Sequence, residues 1–299
     1  MRIHEYGDAS VIAYDDVPRP TPGDGEVLLR VAATSFNPSE VGLRRGLLRS
    51  VFPVDLPYTL GGDVAGTVTA RGAGAQTFAV GDRVIARLDG GAAADYVVVA
   101  PEVLVAAPTA IPLAHAAAIP IAGVTAWQAV FEHAVVLPGQ RVFVNGAGSV
   151  GGFAIQLATH AGAHVIATAG PGRTEAIRRL GAAQTVDYAT TGLAEPVDVL
   201  LNFAPIDAAR VAELARLVRP GGVLVSATTE VEQLTTVDLR AVRFVVRNDI
   251  GHLAALVKLI DAGAVRVDVA ASRPLADLAA VHREAETGRL SGKTVLVPA

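Results

Sequence analysis

The sequence predicts an α/β protein in two parts: a doubly wound parallel sheet, preceded by a β-rich, barrel-like domain. Three observations carry this. Residues 141–173, RVFVNGAGSVGGFAIQLATHAGAHVIATAGPGR, read as strand, glycine turn, helix, strand. From about residue 119 to 263, short apolar strands mostly alternate with helices, as a doubly wound sheet requires. Ahead of them, residues 1–118 hold many short strands punctuated by glycine and proline.

In chain order, Pro-Gly-Asp-Gly at 22–25 turns into a strand over 27–33, VLLRVAA. Residues 37–46, NPSEVGLRRG, read as a loop entering a short helix. Gly61-Gly62 opens a strand over 64–70, Gly81-Asp82 turns into one over 83–87, and 96–100 is another. Residues 103–131 contain no Asp, Glu, Lys or Arg. Pro108, Pro112, Pro120 and Gly123 interrupt them and His115 sits inside, so they read as buried structure and not as a membrane span. A helix is expected over 124–131. After the glycine turn come a helix over 173–180, strands over 184–188 and 198–204, and a helix over 207–218 closed by Pro220-Gly221-Gly222. Strands over 223–228 and 243–247 and a helix over 249–262 follow. From Val265 the pattern returns to strand, helix, strand, which sends the last strand back to the first domain. The expected domains are 1–118 with 265–299, and 119–264.

Gly146, Gly148 and Gly151 stand in G-x-G-x-x-G spacing between a strand and a helix, the context that makes the spacing a dinucleotide-binding fingerprint. Gly146 permits the tight turn, Gly148 lets the backbone approach a pyrophosphate, and Gly151 lets helix and strand pack closely. The helix N-terminus faces the phosphates. An acid at the end of the second strand would bind the ribose 2′-OH of NAD. Here the strand ends uncharged, in Thr168-Ala169-Gly170, and Arg173 follows, a side chain that pairs bidentately with a 2′-phosphate. The cofactor expected is NADPH.

Composition narrows the function. The net charge of the 299 residues is −4 with no basic run, which argues against nucleic acid. The absence of cysteine removes disulfides, thiolate catalysis and any cysteine zinc site. Seven histidines include one H-x-x-x-H pair, His160 and His164, but Gly162 ends the helix between them and the Glu of H-E-x-x-H is missing. The N-terminus, MRIHEYGDAS, has no signal-peptide core, so a cytoplasmic protein is expected.

The order of β-rich domain, nucleotide domain and short return resembles the medium-chain dehydrogenase/reductase superfamily, within its zinc-independent quinone oxidoreductase (zeta-crystallin-like) branch. The resemblance covers nearly the whole chain. Its carriers are Asn37-Pro38, Leu60 to Gly66 (LGGDVAG), Val80 to Val84 (VGDRV), Thr125-Ala126-Trp127, the turn at 145–152, Gly181-Ala182 with Asp187-Tyr188, Pro220-Gly221-Gly222, and Gly292-Lys293. It implies a GroES-like barrel beside a Rossmann domain, a small-molecule substrate, and a homodimer formed through the nucleotide domains. Zinc-dependent relatives carry a Cys at the place of Asn37 and a His-Glu pair at Gly62-Asp63, so no metal is expected.

By the same resemblance, Thr125 lies near the nicotinamide and its ribose. Ser149 and Val150 form the pyrophosphate turn, Tyr188 packs beside the adenosine phosphate region, and Phe203 and Ala204 line the cofactor cleft. Asn37 faces the nicotinamide, where its amide orients a substrate carbonyl; a plain Asn-Pro turn is the alternative reading. The chain departs from the family in three places. Many members have a tyrosine where this one has Glu40-Val41-Gly42, an acid where it has Asn202, and a serine where it has Gly170. No general acid is identified: Glu40 is a candidate but reads first as a solvated carboxylate, and Tyr58 and Tyr96 are within reach of the cleft but fit ordinary packing. The expected activity is an NADPH-dependent, zinc-independent reductase that adds hydride to a quinone or an activated C=C, an enone or alkenal. The alternatives are a tailoring enoyl reductase of a biosynthetic pathway and a non-catalytic NADPH-binding sensor.

Overall fold

The structure, a computed structural model, describes residues 1–170, 172–187, 193–290 and 292–299. The chain forms two units. One comprises Met1–Ile121, Asn248–Asp261 and Val267–Ala299; the other comprises Ala122–Arg247 and Ala262–Arg266.

The second unit is built on a six-stranded parallel sheet. In spatial order its strands are Gln184–Val186, His164–Thr168, Arg141–Asn145, Val197–Asn202, Val218–Ser226 and Leu239–Arg243. Numbered within the sheet this is 3-2-1-4-5-6, the order of a dinucleotide-binding sheet. Its middle strands are buried on both faces, which is why they read as apolar runs without alternation. Phe143, Ile166, Val197, Leu200 and Leu224 pack against Val211 and Leu214 of helix Ala208–Ala215. That helix starts at Asp207, whose side chain accepts from the N–H of Arg210 at 2.8 Å. The edge strand is not the expected 243–247 but Leu239–Arg243, which pairs in parallel register with Gly222–Ser226. Val245 beyond it is exposed. The helix expected over 124–131 instead runs over Pro120–Trp127 and continues as a π-helical turn, Gln128–His133.

The first unit holds a seven-stranded sheet. Val269–Pro274, Lys293–Val297, Val27–Ser35, Asp63–Arg71, Arg83–Arg87 and Val105–Ala106 follow one another, and Tyr96–Val99 also pairs with Val27–Ser35. Val27, Leu29, Val31, Val64, Val68 and Val84 fill its core. The last strand runs antiparallel to Val27–Ser35, with Val295 opposite Ser35 and Leu296 opposite Thr34. This pairing carries Lys293 beside the segment after Ser35. Helix Ile250–Asp261, expected in the nucleotide domain, belongs to the first unit, where Asp261 accepts from the N–H groups of Thr109 and Ala110. No helix among the described residues is long and apolar enough to cross a membrane.

Helix Ser39–Arg44 ends in a fully buried arginine. Arg44 donates to Glu286 at 2.6 Å, to Gly7 O at 2.6 Å and, through Nε, to His282 Nδ1 at 3.3 Å. His282 is buried edge-on against Phe36. Burial, and then the Arg44 charge, push its pKa down to about 3. A base depressed in the folded state favours folding above its unfolded value, and this stability is lost as pH falls through the folded value. The expected result is an acid limb in stability between about pH 6.5 and pH 3, amounting to about 4 kcal/mol by its end. His282→Gln, which keeps an acceptor for Arg44, should flatten that limb in acid-unfolding curves. An unchanged acid midpoint would show that His282 does not drive it.

Candidate active site

The glycine turn leaves strand Arg141–Asn145 and enters helix Ser149–His160. Gly146 has φ +93°, and a Cβ there would lie 2.6 Å from Ala204 N and 2.9 Å from Phe203 C. The turn is therefore pressed against the backbone of Phe203-Ala204, two residues the sequence assigned to the same site. Thr168 Oγ1 accepts from Gly146 N at 2.8 Å, which fixes the turn to the end of the second strand. A Cβ on Gly151 would meet Gly146 O at 2.1 Å, so this glycine is required for close packing. Gly148 differs from both. Its φ is −79°, and among the described residues a Cβ built on it meets no atom within 4 Å beyond its own chain neighbours. Neither backbone strain nor packing demands glycine there, and the missing side chain leaves the helix N-terminus bare. Ser149, Val150 and Gly151 begin that helix with no side-chain cap, so their N–H groups have no acceptor within the helix. The turn fits a pyrophosphate.

The carboxyl ends of the middle strands carry polar side chains in register. Asn145 donates to Asn202 Oδ1 at 2.8 Å, and Asn202 Nδ2 lies 3.2 Å from Ser226 Oγ and 3.0 Å from Thr228 Oγ1. Thr228 in turn donates to Ala204 O at 2.8 Å. The row ties the loops after three strands to the turn. Sequence reasoning missed it, although two apolar strands, RVFVN and VDVLLN, both end in Asn.

At the end of the second strand, Thr168 and Ala169 are buried and Gly170 is half-buried, with no carboxylate among them. Gly170 O accepts from Arg173 N at 3.1 Å, and the half-buried Arg173 starts helix Thr174–Arg179. Tyr188 lies outside the described residues. Thr125 is buried on helix Pro120–Trp127.

The first unit holds a second constellation, and it is buried. Asn37, Glu40, Asp63 and Lys293 are each at most 8% exposed. Asp63 is the hub. Its Oδ2 accepts from Asn37 Nδ2 at 2.8 Å, from Lys293 Nζ at 3.3 Å and from Ser35 Oγ, while its Oδ1 accepts from Ile121 N at 2.8 Å. Lys293 also donates to Asn37 Oδ1 at 2.7 Å and to Phe36 O at 3.2 Å. Asn37 Nδ2 gives its other hydrogen to Ser35 O at 3.3 Å. Both amide hydrogens are thus committed within the protein, and neither is left for a substrate carbonyl. This corrects the expected donor role of Asn37.

Glu40 is corrected as well, because it is buried and not solvated. Its Oε1 accepts from Asn37 N at 3.3 Å, and Glu40 N donates back to Asn37 O at 2.9 Å. Burial first, and then the Asp63 charge, push its pKa up to about 7. An acid raised in the folded state supports folding below its unfolded value, and that support is lost as pH rises through about 7. The positions of the zinc ligands in the resembling family hold Asn37 and Gly62, which supply neither thiolate nor imidazole.

Residues 23–109 match the alcohol dehydrogenase GroES-like domain family, and residues 180–296 match the zinc-binding dehydrogenase family. A quinone oxidoreductase of Pseudomonas aeruginosa is 32% identical, across 100% of this chain and 99% of that protein. The chloroplastic NADPH-dependent alkenal/one oxidoreductase of Arabidopsis thaliana is 30% identical, across 98% of this chain and 78% of that protein. The chloroplast envelope quinone oxidoreductase homolog of the same plant is 38% identical, but the match spans only 64% of this chain and 61% of that protein. The solved quinone oxidoreductase of Coxiella burnetii has a TM-score of 0.90 at 27% identity, covering 99% of this chain and 98% of that one.

Proposed function

Because the chain belongs to the medium-chain dehydrogenase/reductase superfamily, in its quinone oxidoreductase branch, we propose that it is an NADPH-dependent reductase of quinones or of activated C=C bonds, acting without zinc. The carrying observation is the bare helix N-terminus over Gly148, beside a second strand that ends in Thr168-Ala169-Gly170 and Arg173. In this reading Ser149, Val150 and Gly151 hold the pyrophosphate through their N–H groups, Arg173 pairs with the 2′-phosphate, and Thr125 lies toward the nicotinamide ribose. When bound, the nicotinamide supplies the hydride. The protein supplies orientation, and a conjugated acceptor spreads its own developing charge, so no Lewis acid is needed. Turnover is tested by NADPH oxidation against a panel of quinones, alkenals and enones; tight cofactor binding with no turnover would favour a sensor.

Cofactor choice has its own test. A charge-assisted pair between Arg173 and the phosphate is worth about 1.5–3 kcal/mol. Arg173→Ala should therefore weaken NADPH binding by roughly ten- to a hundredfold. NADH, which lacks the phosphate, should be unaffected. Parallel titrations decide: equal losses for both cofactors would make Arg173 a local structural residue, and a wild type preferring NADH would overturn the assignment.

A further inference from the structure

We propose that Asn202 is a positioning residue for the cofactor turn, acting by holding the Ala204 carbonyl and so seating the loop that backs Gly146; the inference rests on the cofactor reading above. Asn202 ends strand Val197–Asn202 and is fully buried. Its Oδ1 accepts from Asn145 Nδ2 at 2.8 Å, which joins it to the strand that leads into the turn. Its Nδ2 shares two hydrogens among Thr228 Oγ1 at 3.0 Å, Ser226 Oγ at 3.2 Å and Ala204 O at 3.3 Å. A carbonyl oxygen can only accept, so Ala204 O fixes which end of the amide faces it. Every residue in this network belongs to the second unit.

Three donors meet at Ala204 O: Thr228 Oγ1 at 2.8 Å, Ile206 N at 2.9 Å and Asn202 Nδ2. A hydroxyl has one hydrogen to give. Because Asn202 donates to the Thr228 oxygen, that hydrogen is left for Ala204 O. Ser226 Oγ, also fully buried, accepts from Thr229 N at 3.0 Å, and Thr229 Oγ1 donates to Ile206 O at 2.6 Å. The loop 203–206 is therefore clamped at two of its carbonyls by Thr228 and Thr229.

The clamped loop meets the turn backbone to backbone. A Cβ on Gly146 would lie 2.6 Å from Ala204 N and 3.1 Å from Ala204 Cα, and Phe203 N donates to Asn145 O at 2.8 Å. No side chain of Gly146 stands between them to absorb a displacement, so a shift of Ala204 passes to Gly146 and to the N–H groups that follow it. A binding constellation works only when its groups are held within about 0.5 Å. An ionised aspartate in place of Asn202 would still accept from Asn145, but it has no hydrogen for Ala204 O. It would also draw the Thr228 hydroxyl hydrogen to itself, so Ala204 O would lose both of its side-chain donors.

The test is calorimetric titration of NADPH and NADH into wild type, Asn202→Asp, Thr228→Val, Thr228→Ser and the double variant Asn202→Asp/Thr228→Val, each well below its melting temperature. Asn202→Asp and Thr228→Val should each weaken binding roughly tenfold, the worth of about one hydrogen bond. Both cofactors should suffer alike, since the turn serves the pyrophosphate they share. Thr228→Ser keeps the hydroxyl and should bind as wild type does. Because both changes act on one carbonyl, the double variant should stay near a tenfold loss, far from the roughly hundredfold of two independent losses. If Asn202→Asp does not fold, Asn202→Ala replaces it, removing the amide without adding charge, with the same losses expected. Full additivity, or wild-type affinity in Thr228→Val, overturns the proposal and leaves the cofactor reading intact. A folded wild type that binds neither cofactor sinks that reading, and the proposal with it.

Discussion

Asp63→Ala is expected to cost about 3–5 kcal/mol of stability, the loss measured when one partner of a buried ion pair is removed. The side chain is fully buried and accepts from Ser35, Asn37, Lys293 and Ile121. Its removal leaves an ammonium only 3% exposed without the carboxylate it donates to, and takes one acceptor from the N–H of Ile121. Domains have only about 5–15 kcal/mol to lose, so the variant should be partly unfolded or melt at least about 10 °C lower. Adding Lys293→Met should recover part of the loss, because the stranded charge is then gone and the two changes are coupled. The measurement is thermal melting of the two single variants and the double variant. A shift of less than about 2 °C for Asp63→Ala, or strict additivity in the double variant, would show that the pair does not hold the fold.

The two constellations were unequally legible, for a physical reason. The cofactor turn is written in glycines, and two of them meet a steric demand local in sequence: the positive φ of Gly146, and the 2.1 Å approach of Gly146 O to Gly151. Local demands leave local signatures, so strand, turn and helix were readable together. The buried cluster joins Asn37 to Asp63 and Lys293, 26 and 256 positions away. No periodicity links residues so far apart; the pairing of the last strand with Val27–Ser35 does. Glu40 read as solvated because a glutamate near a helix start usually is, yet it is buried. One trace was visible. Lys293 opens KTVLV, an apolar strand whose interior residues are buried, and a lysine there needs a countercharge.

The edge strand was misplaced by weaker signals. Val245 and Val246 attract a strand assignment by β-branching, yet LRAVR at Leu239–Arg243 is the segment paired with its neighbour. Edge strands are half-exposed, so propensity and pattern say less about them than about the buried middle of the sheet.

Gly148→Val is expected to abolish cofactor binding while leaving the fold intact, and the contrast with Gly151→Ala makes the result decisive. Among the described residues, a Cβ on Gly148 meets no atom within 4 Å beyond its own chain neighbours, and its φ of −79° is open to any residue. The melting temperature of the variant should therefore stay within about 2 °C of wild type. A valine side chain would stand over the N–H groups of Ser149, Val150 and Gly151, in the space a pyrophosphate must enter. Affinity for NADPH should fall at least about a hundredfold, a loss of about 2.7 kcal/mol. NADH should suffer equally, since the pyrophosphate is common to both cofactors. Gly151→Ala drives a methyl group to 2.1 Å from Gly146 O and should destabilise the unit itself. The two variants thus separate binding from folding at positions three residues apart. The checks are calorimetric titration with both cofactors and thermal melting. Near-normal NADPH affinity in Gly148→Val would mean that the turn does not hold the phosphates, whatever its glycine spacing.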